Sequence, residues 1–66
     1  MRLRVTDLMI VMAKKQLNFS KLAKESGVSR VTLSYIKNGK SCKPDVAGKI
    51  AKALDVSPEE IFDVID

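Results

Sequence analysis

The sequence contains no histidine or tryptophan, one cysteine, two prolines and three glycines in 66 residues. Without histidine and with one cysteine, it offers no metal cluster, no disulfide framework and no histidine-based catalytic pair. A chain this short has room for one hydrophobic core and no separate catalytic cavity. These absences argue against an enzyme. They predict a single domain over residues 1–66 that uses no cofactor or metal and works in a reducing, cytoplasmic setting.

Long apolar runs are also missing. The longest, Leu8–Ala13, is far shorter than the roughly 18 residues of a membrane span, and no signal-peptide cleavage site follows it. We therefore expect no membrane partner, and we interpret this run as the buried part of a helix.

Acidic residues are scarce in the first two thirds of the chain. Residues 1–43 contain ten basic and two acidic side chains, whereas residues 44–66 contain two basic and six acidic ones. The net charge of +4 conceals this asymmetry. A basic segment of this kind favours a polyanion-binding face, and ordinary solvated surface charge is the alternative.

Apolar periodicity and capping residues divide the chain into five short helices, and no stretch of useful length alternates as a strand does. Thr6 suits the cap of the first helix, and Pro58 with its flanking capping box suits the start of the last. The predicted helices cover about residues 6–15, 19–26, 30–38, 44–54 and 58–64. The fold class is therefore all-α.

The connection between the second and third predicted helices is only three residues long. Asn18 can cap the second helix, Gly27 ends it, and Ser29 caps the third. Two helices joined by a short turn that contains glycine are typical of a helix-turn-helix, here over about residues 18–38.

The third helix has two different faces at about 100° per residue. Leu33 and Ile36 point one way, toward the core. The opposite face contains no acid and consists of Arg30, Val31, Ser34, Tyr35 and Asn38. Hydrogen-bond donors, an apolar branched side chain and no negative charge suit the DNA major groove. Any small helix has a polar outer face, which is the alternative, but the outward Val31 argues against it.

The run Leu17–Lys40 resembles the helix-turn-helix of the phage Cro and repressor proteins, the xenobiotic-response-element family. The resemblance continues through Pro44 and through Ile50–Phe62, which are similar to the last two helices of that family. It implies a compact, five-helix, lambda-repressor-like domain. It also implies binding to operator double-stranded DNA, regulation of transcription as a repressor of the phage or mobile-element type, and a homodimer at least on DNA.

The resemblance also implies roles for individual residues. The base-reading positions are Arg30, Val31, Ser34 and Tyr35. The phosphate-contacting positions are Asn18, Phe19, Ser29, Thr32, Asn38 and Lys40, and Lys43 and Lys21 add attraction for phosphate. Two alternatives stay open: Asn38 and Lys40 could form an ordinary helix ending, and Tyr35 could fold back onto the domain.

Two positions depart from the family pattern. Phe19 stands where the family favours glutamine, so only its backbone N–H can serve a phosphate, and its ring is expected to cap the core. Met12 and Lys37 stand where many relatives have an arginine–glutamate pair. We expect the Lys37 stem to cover Met12 while its ammonium group reaches water.

A different function is also compatible with the sequence. Antitoxins built on this fold bind DNA and mask a partner protein, and the end of the chain could dock such a partner through Ile61, Phe62, Val64 and Ile65. The alternative is that these residues close the core or form a dimer seam. Cys42 is expected to be an incidental exposed thiol rather than a redox switch. Gly48 either marks a close backbone approach or weakens its helix.

Overall fold

The computed structural model describes residues 1–64. This part of the chain contains five helices and one small sheet whose two strands have two residues each. Because the helices dominate, the all-α class is confirmed. The elements follow one another as β1 (Arg2–Leu3), α1 (Val5–Lys15), α2 (Phe19–Ser26), α3 (Arg30–Lys37), α4 (Pro44–Leu54), α5 (Pro58–Ile61) and β2 (Phe62–Asp63).

The first four helices keep their predicted bounds to within one residue, although the cap of α1 differs. Its N-cap is Arg4, not Thr6, and the Arg4 side chain makes no capping bond to the helix backbone. The third helix ends at Lys37 with Asn38 as its C-cap. Thr6 is already inside the first turn, because the chain leaves β1 and enters the helix at Val5.

The expectation of a chain without strands is wrong at its two ends. β1 and β2 pair antiparallel, with Arg2 opposite Asp63 and Leu3 opposite Phe62. The last helix therefore ends at Ile61 instead of continuing to Val64, since Phe62 has the extended backbone angles φ −124° and ψ 144°. Strands of two residues are too short to show alternation in a sequence.

One hydrophobic core lies among the helices. α4 packs on α2, α1 and α5, and α3 meets α2 and β1. The buried apolar side chains are Leu8, Met12, Leu22, Val28, Leu33, Ile36, Ala47, Ile50, Ala51, Leu54, Ile61 and Phe62. Every helix contributes at least one of them, so the core holds α3 in place from behind.

The apolar run in α1 is only partly buried. Leu8 and Met12 lie in the core, whereas Met9 and Ile10 are 45% and 49% exposed. Leu8 and Met12 are four residues apart and share the inward face of the helix, whereas Met9 and Ile10 lie about 100° and 200° around the helix from Leu8. The interpretation of the whole run as buried is wrong for Met9, Ile10 and Ala13, which are exposed.

Candidate nucleic-acid interface

The start of α3 is fixed by its cap and by the turn before it. The Ser29 hydroxyl accepts a hydrogen bond from the Thr32 backbone N–H at 3.1 Å. Gly27 ends α2 with φ 74°, a left-handed conformation that glycine adopts without strain. Leu33 and Ile36 are buried beneath α3, so the opposite face of the helix points to solvent.

The predicted base-reading residues share one surface. Arg30, Val31, Ser34 and Tyr35 line a shallow hollow on the outer side of α3. Val31 is 63% exposed and Tyr35 is 55% exposed. The phenol ring thus points outward and does not fold into the core, and its centroid lies 5.2 Å from the Lys40 ammonium. The hollow combines a guanidinium, two hydroxyl groups and an apolar branched side chain.

Three predicted phosphate contacts cluster at the start of α2. The Asn18 side-chain oxygen accepts a hydrogen bond from the Lys21 backbone N–H at 2.8 Å. The backbone N–H groups of Phe19 and Ser20 precede the first intrahelical hydrogen bond, so the helix itself offers them no acceptor. The Asn18 amide hydrogens and the exposed Lys21 side chain are donors at the same end. This helix end suits an anion.

Ser29 and Thr32 divide their hydrogen bonds unequally. The Ser29 hydroxyl donates to Thr32 Oγ1 at 2.9 Å while it accepts from the Thr32 backbone, so its single proton is used inside the protein. The Thr32 hydroxyl proton and the first two backbone N–H groups of α3 have no acceptor in that cap. Of the two side chains, Thr32 is the better donor to a phosphate oxygen.

The loop after α3 carries the remaining predicted contacts. The Asn38 backbone N–H donates to Ser34 at 3.1 Å, and the chain reverses at Gly39 with φ 101°. Asn38, Lys40 and Lys43 are exposed. Asn38 therefore caps the end of α3 while its side-chain amide is exposed. This geometry is compatible with an ordinary helix ending and with a phosphate contact.

Cys42 lies in this loop and is not the exposed thiol that the sequence predicts. It is partly buried and packs against the core. Its backbone N–H donates to the carbonyl oxygen of Met1 at 2.8 Å. Burial raises the pKa of the Cys42 thiol above its ordinary value, and a smaller effect of a nearby positive charge lowers it. The contact with Met1 ties the loop to the beginning of the chain.

A second hollow between α2 and α3 contains Lys37, which is not among the DNA-contacting residues predicted from the sequence. Phe19, Arg30, Leu33, Ser34 and Lys37 line it. The Lys37 ammonium lies 4.8 Å from the centroid of the Phe19 ring. Phe19 is half-buried against the core, which agrees with the predicted cap. The i, i+4, i+7 spacing from Arg30 to Lys37 is the signal that would have found Lys37.

The proposed docking surface at the end of the chain is largely internal. Ile61 and Phe62 are 0% and 1% exposed, and both belong to the core. Val64 is exposed, and Ile65 lies outside the described residues. Two of the four residues thus close the core and are not available to a partner protein.

Within residues 1–64, no three His, Cys, Asp or Glu side chains are placed to hold a metal ion together. None of the helices described there is both long enough and apolar enough to cross a lipid bilayer.

Comparison with known proteins identifies the family. The family model of the Cro/C1-type HTH DNA-binding domain matches residues 7–66, nearly the whole chain. No curated protein and no solved structure matches the chain significantly. Its two capped helices, its three-residue turn and this match lead to one conclusion: the chain belongs to the Cro/C1-type helix-turn-helix family of DNA-binding transcription regulators.

Proposed function

We propose that this chain is a sequence-specific, non-enzymatic repressor of the phage or mobile-element type that inserts α3 into the major groove of operator DNA. The observation that carries the proposal is the hollow formed by Arg30, Val31, Ser34 and Tyr35. A B-DNA major groove admits one α-helix, and the outer face of α3 presents donors and an apolar group without an acid.

Each residue of the hollow has a chemical role in this proposal. Arg30 donates two hydrogen bonds to O6 and N7 of a guanine, which is the commonest specific contact in the major groove. Val31 contacts a thymine methyl group. Ser34 and Tyr35 add hydrogen bonds to base edges. Lys40, whose ammonium lies near the phenol ring, contacts the DNA backbone in this proposal.

The phosphate backbone fixes the register of α3 in the groove. In our proposal it is bound by the N-terminal ends of α2 and α3 through Asn18, Phe19, Ser29 and Thr32, with Ser29 and Phe19 contributing backbone N–H groups. Lys21, Asn38, Lys40 and Lys43 extend the contact on both sides. Such contacts position a protein on DNA and do not depend on base sequence.

Residues 1–66 act as one domain in this proposal, and two copies bind one operator. A single helix-turn-helix reads a half-site, and two-fold dimers read half-sites about one helical turn apart. The proposal thus predicts a partly palindromic operator.

The test begins with selection of duplexes from a random pool, followed by fluorescence anisotropy on the selected operator and on a random duplex. Arg30→Ala is expected to weaken operator binding by about 1–3 kcal/mol and to relax the preference at one base pair. Lys40→Ala is expected to weaken both duplexes about equally, because phosphate contacts carry no sequence information.

Lys52→Ala, an exposed charge in the last turn of α4, is the matched control for loss of one positive charge. It is expected to leave both the operator affinity and the operator preference unchanged. Equal losses on operator and random duplex for Arg30→Ala would remove Arg30 from base reading, and a pool with no enriched sequence would contradict the proposed function.

A further inference from the structure

The hollow between α2 and α3 has chemistry of its own. We propose that Lys37, held in place by the ring of Phe19, binds a phosphate of the DNA backbone at the junction of the two helices. This inference rests on the proposed function, since it assumes that α3 enters the groove. It adds a DNA-contacting residue, Lys37, and a positioning residue, Phe19.

The Lys37 ammonium lies over an aromatic ring of the neighbouring helix. Lys37 Nζ lies 4.8 Å from the centroid of the Phe19 ring, within the roughly 6 Å over which a cation is attracted to an aromatic face. The Lys37 side chain crosses from α3 toward the first residue of α2. Lys37 is exposed, so its ammonium reaches water on one side and lies over the Phe19 ring on the other.

Lys37 has the base-reading hollow on one side and the first turn of α2 on the other. Arg30, Ser34 and Lys37 recur at i, i+4 and i+7, so they form one flank of the outer face of α3. Arg30 and Ser34 also line the base-reading hollow, which places Lys37 directly beside it. On the other side, the first turn of α2 provides backbone N–H groups without intrahelical acceptors. Lys37 thus lies between the base-reading hollow and an anion-binding helix end.

The charges around Lys37 also favour binding of a phosphate. Neither α2 nor α3 has an acidic residue in its first turn. Among residues 1–64, the ion pairs within 4.0 Å involve Arg4 alone as the cation, so Lys37 has no carboxylate partner there. An ammonium group with an aromatic ring on one side and no carboxylate keeps its remaining hydrogen-bond donors for an external acceptor. A phosphate oxygen at the edge of the groove meets that need.

Phe19 acts through Lys37 in this arrangement. A phenyl ring cannot bond a phosphate, but it restricts the rotamers of the lysine that lies over it. A flexible lysine loses side-chain entropy when it binds, so a lysine already held near its bound position loses less. The ring thereby raises affinity without touching the DNA.

The decisive measurement is the salt dependence of operator affinity. Lys37→Met keeps an unbranched apolar stem and removes the charge. Loss of one phosphate contact lowers the magnitude of the slope of log K against log salt by about 0.9, so the affinity lost between 50 and 200 mM salt shrinks by about threefold to fourfold. Lys24→Met, in the last turn of α2, is the matched control and is expected to keep the original slope.

Phe19→Leu tests the positioning role. It is expected to weaken operator binding in the wild-type background and to have no further effect in the Lys37→Met background. Circular dichroism melts establish that each variant is folded at the binding temperature. Additive losses from the two substitutions would overturn the role of Phe19.

An unchanged salt slope and affinity in Lys37→Met would overturn the phosphate contact, and a lower melting temperature with unchanged binding would assign Lys37 to the fold alone. Arg30→Ala separates this failure from failure of the proposed function. Loss of operator preference in Arg30→Ala beside unaltered Lys37→Met binding leaves the groove-reading proposal intact.

Discussion

Two arginines of this protein stand in opposite situations. Arg30 opens α3 and faces solvent within the base-reading hollow. Arg4, before α1, is surrounded by acceptors: its Nε donates to Asp7 at 2.7 Å and its Nη1 donates to Asp63, also at 2.7 Å. The same guanidinium donates to the carbonyl oxygens of Phe62 and Glu59 at 3.0 and 2.6 Å. We refer to Arg4, Asp7, Asp63 and these two carbonyl groups as the Arg4 cluster.

The difference separates a group that stabilises the fold from a group that is available to a ligand. Hydrogen bonds to Asp7 and Asp63 raise the pKa of the Arg4 guanidinium above its ordinary value, so it stays charged at every workable pH. The Arg4 cluster joins both ends of the described chain through donors that are already used. Within residues 1–64, Arg30 takes part in no ion pair, so its five N–H donors remain for an acceptor outside the protein.

The largest expected effect is at the core beside the Arg4 cluster. Phe62 is 1% exposed, and truncation of a buried phenylalanine costs about 3–5 kcal/mol. A domain of this length has a total stability of about 3–10 kcal/mol, so Phe62→Ala is expected to unfold a large share of the molecules. Urea denaturation measures the loss, and Val64→Ala, at an exposed residue, is the control. A fully stable Phe62→Ala would restore the case for a docking surface there.

The next effect compares the two arginines directly. Arg30→Met is expected to cost about 1–3 kcal/mol of operator binding and to leave the melting temperature unchanged. Arg4→Met is expected to lower the melting temperature, because two carboxylates and two carbonyl groups lose their donor, and to leave the affinity of the folded protein unchanged. Melts and anisotropy on the same samples give both values. If each variant lowered the melting temperature and also weakened operator binding, the distinction between the two arginines would be wrong.

The sequence predicted α3 and its two faces because the necessary signals are local. Ser29, Gly27 and the spacing of Leu33 and Ile36 lie within a few residues of one another. The four residues of the base-reading hollow are also close together in sequence, because all four belong to α3. Caps and periodicity depend only on near neighbours, so they can be read without the rest of the fold.

The Arg4 cluster could not be predicted in the same way. Its contacts join residues 4 and 63, far apart in sequence, and β1 and β2 contain two residues each. The Lys37 contact with Phe19 also crosses between two helices. The burial of Cys42 depends on pairing with Met1. Each of these features needs the tertiary arrangement that brings distant residues together.

Substitution of Gly48 is expected to have a smaller effect, on stability and not on DNA binding. A Cβ at this helical position meets no atom within 4 Å, so the close-approach alternative for Gly48 is wrong and its cost is the weak helix propensity of glycine. Gly48→Ala is expected to raise the free energy of unfolding by about 1 kcal/mol without a change in operator affinity. Gly39→Ala has equal space but φ 101°, and it is expected to destabilise the protein. Equal effects at both glycines would contradict this explanation.

The smallest effect concerns the loop that borders the base-reading hollow. Because burial raises the pKa of Cys42, the thiol form is favoured in the folded protein. The resulting stability is fully present below the pKa of the unfolded thiol, about 8.5, and is lost as the pH rises through the higher folded pKa. Urea denaturation of the wild type and of Cys42→Ser at pH 7 to 10 measures the difference in unfolding free energy between the two proteins, in which pH effects common to both cancel. We expect this difference to shift against the wild type with rising pH. A constant difference would show that Cys42 titrates in the folded protein as it does in the unfolded chain.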